Sequence, residues 1–512
     1  MGCLAASGEA VSMRRRVAAL CVLVGVWLTA SAHIGNTLVV QDGTAGPYGL
    51  RVLVRPPAVI PGLVDVVIRT TTSTGFPTAV SLQPALWRYG TKGAPAAERA
   101  VAVPGEPGTF QTQVWIMSSG SYALHITASG PAGRGTFIVP YTSVATATLS
   151  MPNWLGWVLA ALGAFLVFGL ASLAGAASRE STLPVGAIPD VQRFRRARFA
   201  AAIALLIAGT AVFGGWNWWN SEEREYRRSL DRPLSVETSI TSGAQRILTL
   251  HVTDSIWRFT KIEDRPWVQV FTPLMPDHGK LMHLFLIEAG GRGAVAHLHP
   301  VRQDERTFTT AVPEIPAGKY WLFADVVHQS GATRTFVDTV DVTKGNAPAN
   351  ADGDDAWSLA PALVTAAPVV LADKATFAIA IEGTPTIGRD VVIHATIKNA
   401  DGSPAALAPW LGMAGHAMLL RTDGAVFMHL HPLGTSSMAA QERLEQREAG
   451  DTTMRSDTQP AAMDMSSMHV AVTPGDVRFP VAFPSAGAYR VFVQVRRVGH
   501  STETAAIDIT VR

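Results

Sequence analysis

The sequence predicts a mainly β protein with three immunoglobulin-like β-sandwich domains and two transmembrane α-helices. Short runs rich in valine, isoleucine and threonine, separated by Gly/Pro turns, recur over most of the chain. Two long segments contain no charged residue, as membrane helices require. Two of the strand-rich regions also share one sequence pattern, which indicates an internal duplication.

Composition excludes several classes of protein. Charged residues make up 16% of the 512 positions, whereas a soluble globular protein usually carries about 25%, so we expect part of the chain to lie in a membrane. The net charge of +2 argues against a nucleic-acid partner recognised through bulk positive charge. With only Cys3 and Cys21, a disulfide scaffold, a cysteine zinc finger and an iron–sulfur protein are excluded.

The N-terminus has the features of an export signal. Arginines precede an apolar run over residues 17–29, which is followed by an A-x-A cleavage site. We predict a signal peptide over residues 1–32, in which residues 1–12 are an upstream extension and Met13 is the start. The apolar run is shorter than the ~20 residues that span a bilayer, and an uncleaved anchor is the alternative.

Two charge-free segments, residues 154–177 and 199–219, are predicted to cross the membrane. The loop over residues 178–198 carries five arginines, so the positive-inside rule places it in the cytoplasm. Residues 33–150 and 220–512 would then lie outside. This arrangement predicts a cytoplasmic (inner) membrane protein with large periplasmic or extracellular domains. A soluble protein with two buried helices is the alternative.

The exported regions divide into an N-terminal sandwich over residues 33–150 and two repeats, 220–345 and 361–512. A polar, acidic linker over residues 346–360 joins the repeats. The first repeat contains MHLFLIEAGGRGAVAHLHP and then PAGKYWLFADV. The second contains GHAMLLRTDGAVFMHLHP and then SAGAYRVFVQV. The matching order of these segments predicts that the two repeats share one fold.

The second repeat carries an insertion. Gly318 follows His299 by 19 residues, whereas Gly487 follows His431 by 56, a difference of 37. We place the Met-rich insertion over residues 433–468. Because it is polar and has no core of its own, we expect it to be disordered.

The repeated histidines are the strongest chemical signal. An Asp-Gly pair between two apolar runs predicts a two-residue hairpin turn in the second repeat. Counting outward from that turn places His416 opposite His431 and Met418 opposite His429, all on one face. The first repeat has a longer turn and Phe285 at the position of Met418. Its matching histidines are His283, His297 and His299.

Such a set of side chains predicts a transition-metal site. Imidazoles suit Cu(II) or zinc and thioethers suit Cu(I), so copper is the first expectation and zinc the alternative. His278 and His328 are close enough in motif order to be additional ligands. Asp325 is a further candidate, although its strand parity is opposite to that of His328. Since the same face includes Leu420 and Phe427, half-buried polar residues in a sheet are the alternative interpretation.

Two further groups are candidate ligands. The insertion and the residue after it contribute methionines and a histidine that suit Cu(I), although a methionine patch for oligomerisation is the alternative. These residues are Met463, Met465, Met468 and His469. After signal cleavage, His33 would offer an α-amine and an imidazole to one ion. His125 is its expected partner, and an incidental terminal histidine is the alternative.

The HLHP repeats and the AGPYGLRVLVRPP segment resemble exported CopC-like and YtkA-like immunoglobulin-type domains, which are associated with copper handling. The resemblance covers the three β-domains through short motifs. It implies His33 and the six histidines of the two hairpins as ligands. The chain departs from the simple family pattern in its two membrane helices and three domains, which leaves storage, transfer and sensing open.

Together these features predict a membrane-anchored periplasmic metal-binding protein that handles, stores or delivers copper. Its expected partners are the membrane, a metal ion and a copper-accepting or copper-exporting envelope protein, with no nucleic acid. Catalysis is not required. The alternatives are a copper-dependent oxidase with an N-terminal histidine brace at His33 and His125, and a structural or adhesive envelope protein with incidental histidines.

Overall fold

The molecule is mainly β, as predicted, with paired, mostly antiparallel sheets and two long apolar helices. The computed structural model describes residues 38–72, 75–241, 245–257, 272–291, 293–345, 352–365, 367–453 and 472–512. The chain divides into two compact units. One comprises Met1–Ser143 with Pro233–Arg512, and the other is Val144–Arg232. The number of independently folding domains and the boundaries given above stay predictions.

The N-terminal part of the first unit is a pair of sheets. Its strands are β1 (Val39–Ala45), β2 (Tyr48–Arg55), β3 (Gly62–Thr70), β4 (Ala79–Leu86), β5 (Glu98–Arg99), β6 (Val101–Ala102), β7 (Thr109–Ile116), β8 (Gly120–Gly130) and β9 (Gly133–Ser143). One sheet has the order β1-β2-β3-β7-β6 and the other β5-β4-β8-β9. Alternating apolar side chains of both sheets, among them Val52, Val54 and Leu124, form the core.

The second unit contains two helices that are long and apolar enough to cross a membrane, α1 (Asn153–Glu180) and α2 (Val191–Ser229). Both extend beyond the predicted spans, so the connection between them is shorter than the predicted loop over 178–198. Asp190 caps α2 by accepting a hydrogen bond from the Arg193 backbone N–H at 2.8 Å. At ~1.5 Å per residue the 39 residues of α2 extend over about 58 Å. This length exceeds the ~30 Å hydrocarbon core, so charged turns continue the helix on either side of its apolar part.

The first histidine-bearing sandwich follows. Its strands are β10 (Val236–Ile240), β11 (Ile247–Val252), β12 (Leu274–Met275), β13 (His283–Glu288), β14 (Val295–Leu298), β15 (Val301–Arg302), β16 (Thr307–Ala311), β17 (Gly318–His328), β18 (Thr333–Val342) and β19 (Ala356–Ser358). One sheet is β10-β11-β16-β15; the other is β12-β17-β13-β14-β19, with β18 beside β17. Because β19 pairs with β14, the end of the predicted linker over 346–360 is part of this sheet rather than a spacer.

The second histidine-bearing sandwich contains one helix. Its elements are β20 (Ala362–Val364), β21 (Val369–Val370), β22 (Thr376–Glu382), β23 (Asp390–Lys398), β24 (His416–Arg421), β25 (Phe427–Leu430), α3 (Met438–Glu448), β26 (Asp476–Ala482), β27 (Gly487–Arg496) and β28 (Thr502–Val511). The sheets have the orders β20-β28-β27-β24-β25 and β21-β22-β23-β26.

Helix α3 corrects the expectation that the insertion over 433–468 is disordered throughout. Ser437 caps the helix by accepting a hydrogen bond from the Ala440 N–H at 3.2 Å. Leu444 packs against Trp87 and Ala123 of the N-terminal sandwich. An apolar helix face with a docking surface therefore orders the start of the insertion.

Strands β13 and β24 are buried on both faces. Leu284 and Leu286 belong to the core of their own sandwich, whereas Phe285 lies in a second apolar cluster together with Phe427 and Met418. The two histidine-bearing sandwiches therefore pack against each other through the sheets that carry the repeated histidines.

Candidate metal centre

The β24–β25 hairpin has the register predicted from its turn. Met418 is directly opposite His429, and the Arg421 N–H donates to the Val426 carbonyl at 2.9 Å. The same register places His416 opposite His431 at the open end of the hairpin. The Asp-Gly turn fixes this pairing locally, which is why the sequence alone could predict it.

The hairpin of β13 and β14 repeats this arrangement. Phe285 pairs with His297, and the register continues to bring His283 opposite His299. The longer turn does not shift the pairing, since the Glu288 N–H donates to the Ala294 carbonyl at 2.9 Å. Each repeat therefore presents its histidines at the same position of an equivalent hairpin.

The packing of the two sandwiches unites the two sets of histidines. The Phe323 and Phe427 rings stack across the interface, with their centroids 4.2 Å apart. At the edge of this apolar layer the His283 and His429 centroids are 5.4 Å apart. Among the described residues, seven histidines that are each less than a tenth exposed form this histidine cluster: His278, His283, His297, His299, His416, His429 and His431.

His278 is the candidate additional ligand that the structure brings into the cluster. It lies in the turn in which the Asp277 and Lys280 backbones bond to each other, and its φ of 51° is in the left-handed region. Its ring centroid lies 5.6 Å from that of His416 and 5.2 Å from that of His431. These three histidines, the second trio, each place one ring nitrogen within 4.8 Å of the others.

The first trio, His283, His297 and His299, meets the same distance criterion. In each ring, one nitrogen, called the outward nitrogen, lies near an oxygen atom of a residue outside the trio. His283 Nε2 lies 3.1 Å from the Asp277 carbonyl oxygen. His297 Nδ1 lies 3.3 Å from Gln494 Oε1, and His299 Nδ1 lies 3.0 Å from Asp355 Oδ1. If each of these nitrogens carries the proton, the other nitrogen of each ring presents a lone pair.

Several buried ring nitrogens make no hydrogen bond. Both nitrogens of His416 lack a hydrogen-bond partner, as do Nε2 of His299 and Nε2 of His429, within the part of the chain that the structure describes. An unmade hydrogen bond on a buried polar group costs about 1–3 kcal/mol. This pattern differs from that of satisfied core histidines, so the interpretation of incidental polar residues in a sheet accounts for it poorly.

Three carboxyl groups adjoin the cluster, one from the buried residue Asp277 and two from the partly buried residues Asp325 and Asp355. Asp277 Oδ1 lies 3.5 Å from His278 Nε2, and Asp325 Oδ2 lies 3.7 Å from His429 Nδ1. Burial raises the pKa of Asp325 and that of Asp355 to about 7. Burial would raise the pKa of Asp277 too, but the neighbouring imidazoles lower it overall. Sequence reasoning identified only Asp325 of these three, because the partners of the others are set by long-range packing.

Burial lowers the pKa of six imidazoles of the cluster, which keeps these six neutral near pH 7. The pKa of His283 is lowered to about 4 and that of His431 to about 3. Burial is also the main cause for the four histidines whose pKa values lie well below the ordinary value. These are His297, His299, His416 and His429.

We therefore expect the metal-free protein to lose stability on acidification from pH 6.5 towards pH 4. In this range the unfolded chain binds a proton at each of six imidazoles that stay neutral in the fold. Each proton taken up only by the unfolded chain costs about 1.4 kcal/mol per pH unit. Asp325 and Asp355 act in the opposite direction, but two carboxyl groups are outnumbered by six imidazoles.

The measurement is the thermal midpoint of the chelator-treated full chain at pH 7 and pH 5. The midpoint should be lower at pH 5, and the difference should shrink in His416→Gln, His429→Gln double variants. A midpoint that is equal or higher at pH 5 would contradict this prediction.

Other sequence-predicted residues lie elsewhere or cannot be placed. His328 is not in the cluster: its Nδ1 faces the Thr272 carbonyl and its ring lies 5.4 Å from that of Trp257. Strand alternation explains this difference, since Asp325 and not His328 faces the second sandwich. His125 is buried in β8, with Nε2 3.2 Å from Glu448 Oε1.

Met418 is buried in the apolar layer between the sandwiches. The candidate copper ligands of the insertion and of the mature N-terminus lie outside the described residues. These are His33, Met463, Met465, Met468 and His469.

Comparison with known proteins identifies the histidine-bearing region without assigning a role to it. A family model described as a domain of unknown function, DUF8832, matches residues 234–344 and 370–512. These two segments cover most of the two histidine-bearing sandwiches. No curated protein sequence matches the chain.

Similar solved structures include a tetra-tandem repeat in the extending region of a large adhesion protein, with 8% identity, a TM-score of 0.15, and coverage of 93% of this chain and 74% of that one. Dimeric latent PorU from Porphyromonas gingivalis has 8% identity, a TM-score of 0.15, and coverage of 93% and 34%. A putative membrane anchored protein from Corynebacterium diphtheriae has 10% identity, a TM-score of 0.13, and coverage of 92% and 95%. TM-scores this low carry no argument about function.

Proposed function

We propose that this is a membrane-anchored, extracytoplasmic metal-binding protein that holds a transition metal, copper in the first place, in the histidine cluster. The supporting observation is the group of buried imidazole nitrogens that lie near one another and lack hydrogen-bond partners. A bound ion would satisfy these nitrogens. Burial keeps six imidazoles of the cluster neutral, and a metal ion requires a neutral imidazole.

Ligand chemistry favours copper, with zinc as the alternative. The grouped donors are imidazole nitrogens with carboxylates beside them. Imidazole suits zinc, copper, iron and nickel, and Cu(II) binds most tightly of the divalent first-row ions at a given site. The resemblance to CopC-like and YtkA-like domains agrees with copper and remains a prediction.

Enclosure of the cluster favours storage or delivery over turnover. The rings are buried between the two sandwiches, whereas a catalytic metal needs an open coordination position that substrate can reach. We propose a copper-accepting or copper-exporting envelope protein as the partner. The oxidase alternative depends on His33, outside the described residues, and on His125, which already faces Glu448.

The proposed topology places the short connection between α1 and α2 in the cytoplasm and the β-sheet unit in the periplasm or outside the cell. Five arginines in residues 178–198 support this orientation. A cysteine at residue 185 should then react with a membrane-impermeant thiol reagent only in broken cells, while one at the exposed position 301 should react in intact spheroplasts.

The metal proposal is tested by metal analysis of the full chain, purified in detergent without a polyhistidine tag and loaded with Cu(II). We expect the double variant His283→Gln, His416→Gln to lose copper that the wild type retains after desalting. His251→Gln and His394→Gln are matched controls outside the cluster. Unchanged copper content in the double variant, with circular dichroism showing a folded protein, would contradict the proposal.

A second set of variants distinguishes copper bound in the cluster from copper bound elsewhere in the chain. Met463→Leu, Met465→Leu and Met468→Leu remove the thioethers of the insertion, and His125→Gln removes the predicted partner of His33. If these residues also bind copper, the changes lower its content in the cluster variant as well as in the wild type. The difference between wild type and cluster variant measures the cluster alone.

We expect Asp355 to fix the orientation of the metal ligand His299. Its Oδ1 accepts from the His299 backbone N–H at 2.9 Å and its Oδ2 from the Asp352 N–H at 3.2 Å, so His299 Nδ1–H is the donor to it and Nε2 is left for the ion. Loss of such a partner typically weakens metal affinity by about 10–100-fold. Asp355→Asn should therefore weaken copper binding in a chelator competition by about 10-fold, and Asp338→Asn should not.

A further inference from the structure

We infer that the histidine cluster is a two-ion centre, with one metal ion in each trio and His429 lying between them. This inference rests on the proposed function and extends it from metal binding to the number and arrangement of ions. Seven imidazoles exceed the four donors of a tetrahedral site. One ion would therefore leave several buried ring nitrogens unsatisfied.

The first trio has the geometry of one preformed site. With the outward nitrogens of His283 and His297 bonded to a carbonyl and an amide oxygen, His283 Nδ1 and His297 Nε2 face each other at 3.1 Å. Two nitrogens bound at ~2.0–2.1 Å to one tetrahedral ion are separated by about 3.3 Å. An ion between these lone pairs would replace their repulsion by two coordinate bonds.

The second trio differs in origin. His278 comes from the first histidine-bearing sandwich, whereas His416 and His431 come from the second. The His416 and His431 centroids are 5.4 Å apart, and His278 lies within 5.6 Å of both. This site exists only when the two sandwiches are packed together, so it cannot be a displaced copy of the first.

His429 belongs to neither trio and lies between them. Its centroid is 5.4 Å from those of His283 and His416. It is 5.5 Å from that of His297 and 4.4 Å from that of His431. Its buried Nε2 has no hydrogen-bond partner, which makes this nitrogen available to either ion.

The surroundings can offset the charge of two cations. Asp277 is buried beside His278 and the partly buried Asp325 lies beside His429, and Asp355 adjoins the first trio through His299. Buried charges are tolerated when they are paired. A cluster with three carboxyl groups can hold two divalent ions with less uncompensated charge than a purely neutral one.

The experiment counts Cu(II) in the full chain and in three variants. The first-trio variant is His297→Gln, His299→Gln; the second-trio variant is His416→Gln, His431→Gln; and the quadruple variant combines them. We expect the wild type to hold two ions more than the quadruple variant. Each trio variant should hold one ion more than the quadruple variant. Zinc loading repeats the count with an ion that thioethers bind poorly.

The outcomes separate this inference from the proposed function. One alternative result is that the wild type holds only one ion more than the quadruple variant and that both trio variants lose that ion. This result would overturn the two-ion centre but would still support metal binding by the cluster. If the wild type and a folded quadruple variant hold the same amount of metal, both the two-ion centre and the proposed metal binding are overturned.

Electron paramagnetic resonance gives an independent readout. Neighbouring Cu(II) ions should give the wild type a broadened or reduced signal per copper, and each trio variant an isolated-ion signal. Sharp wild-type spectra that integrate to the full copper content would also overturn the two-ion centre.

Discussion

Phe427→Ala should destabilise the β-sheet unit by about 3–5 kcal/mol, the usual cost of truncating a buried phenylalanine. Phe427 is 1% exposed and stacks on Phe323 across the interface of the two histidine-bearing sandwiches. It also lies 5.2 Å from Phe285. Since the second trio draws on both sandwiches, the same change should weaken metal binding there. Thermal unfolding and chelator competition measure the two effects.

Phe479→Ala is the matched control. Phe479 is fully buried in the internal core of the second sandwich, so its truncation should cost similar stability without removing a contact between the sandwiches. We expect metal affinity, measured well below both unfolding transitions, to fall in Phe427→Ala and to be retained in Phe479→Ala. Equal losses of affinity would show that the interface has no special part in assembling the site.

The sequence could predict the structure within each histidine hairpin but not the packing of the two hairpins against each other. The register of each histidine hairpin is local, because a turn between two apolar runs fixes which residues are opposite. The pairing of Met418 with His429 is therefore confirmed. The meeting of the two hairpins depends on packing between sheets, and the sequence predicted one separate patch in each repeat.

A signal for that packing was present in the strands. The segments HLFLIE of β13 and HAMLLR of β24 are buried at five successive positions. Their nearly continuous apolar character departs from the alternation of a strand with one solvated face. Such a strand needs a cover on both sides, and here each repeat covers the other.

Residues that reach the histidine cluster from turns or loops were harder to predict than those on strands. His278 enters the cluster through a turn with positive φ, and Asp355 reaches His299 from the end of the predicted linker. Neither has a strand register that relates it to the hairpins. Their positions follow from the tertiary fold, which is why His278 was only a candidate and Asp355 was missed.

Removal of the metal should lower the stability of the protein about as much as truncation of Phe427. An ion held at a free concentration ~1,000-fold above its dissociation constant stabilises the folded state by about 4 kcal/mol. For domains of 150–250 residues each kcal/mol moves the thermal midpoint by about 2–4 °C. Copper-loaded protein should thus unfold about 8–16 °C above chelator-treated protein at pH 7, and reloading should restore the difference.

The dependence of this shift on individual trios distinguishes cluster binding from binding elsewhere. The second trio takes its ligands from both sandwiches, so an ion bound there must be released before the interface opens. An ion in the first trio is held by the folded hairpin of β13 and β14 and must be released before that hairpin unfolds. The shift should therefore shrink in the first-trio and second-trio variants and persist in His394→Gln, which changes a partly exposed histidine outside the cluster. A copper-dependent shift of full size in both trio variants would mean that the stabilising ion is not held by these imidazoles.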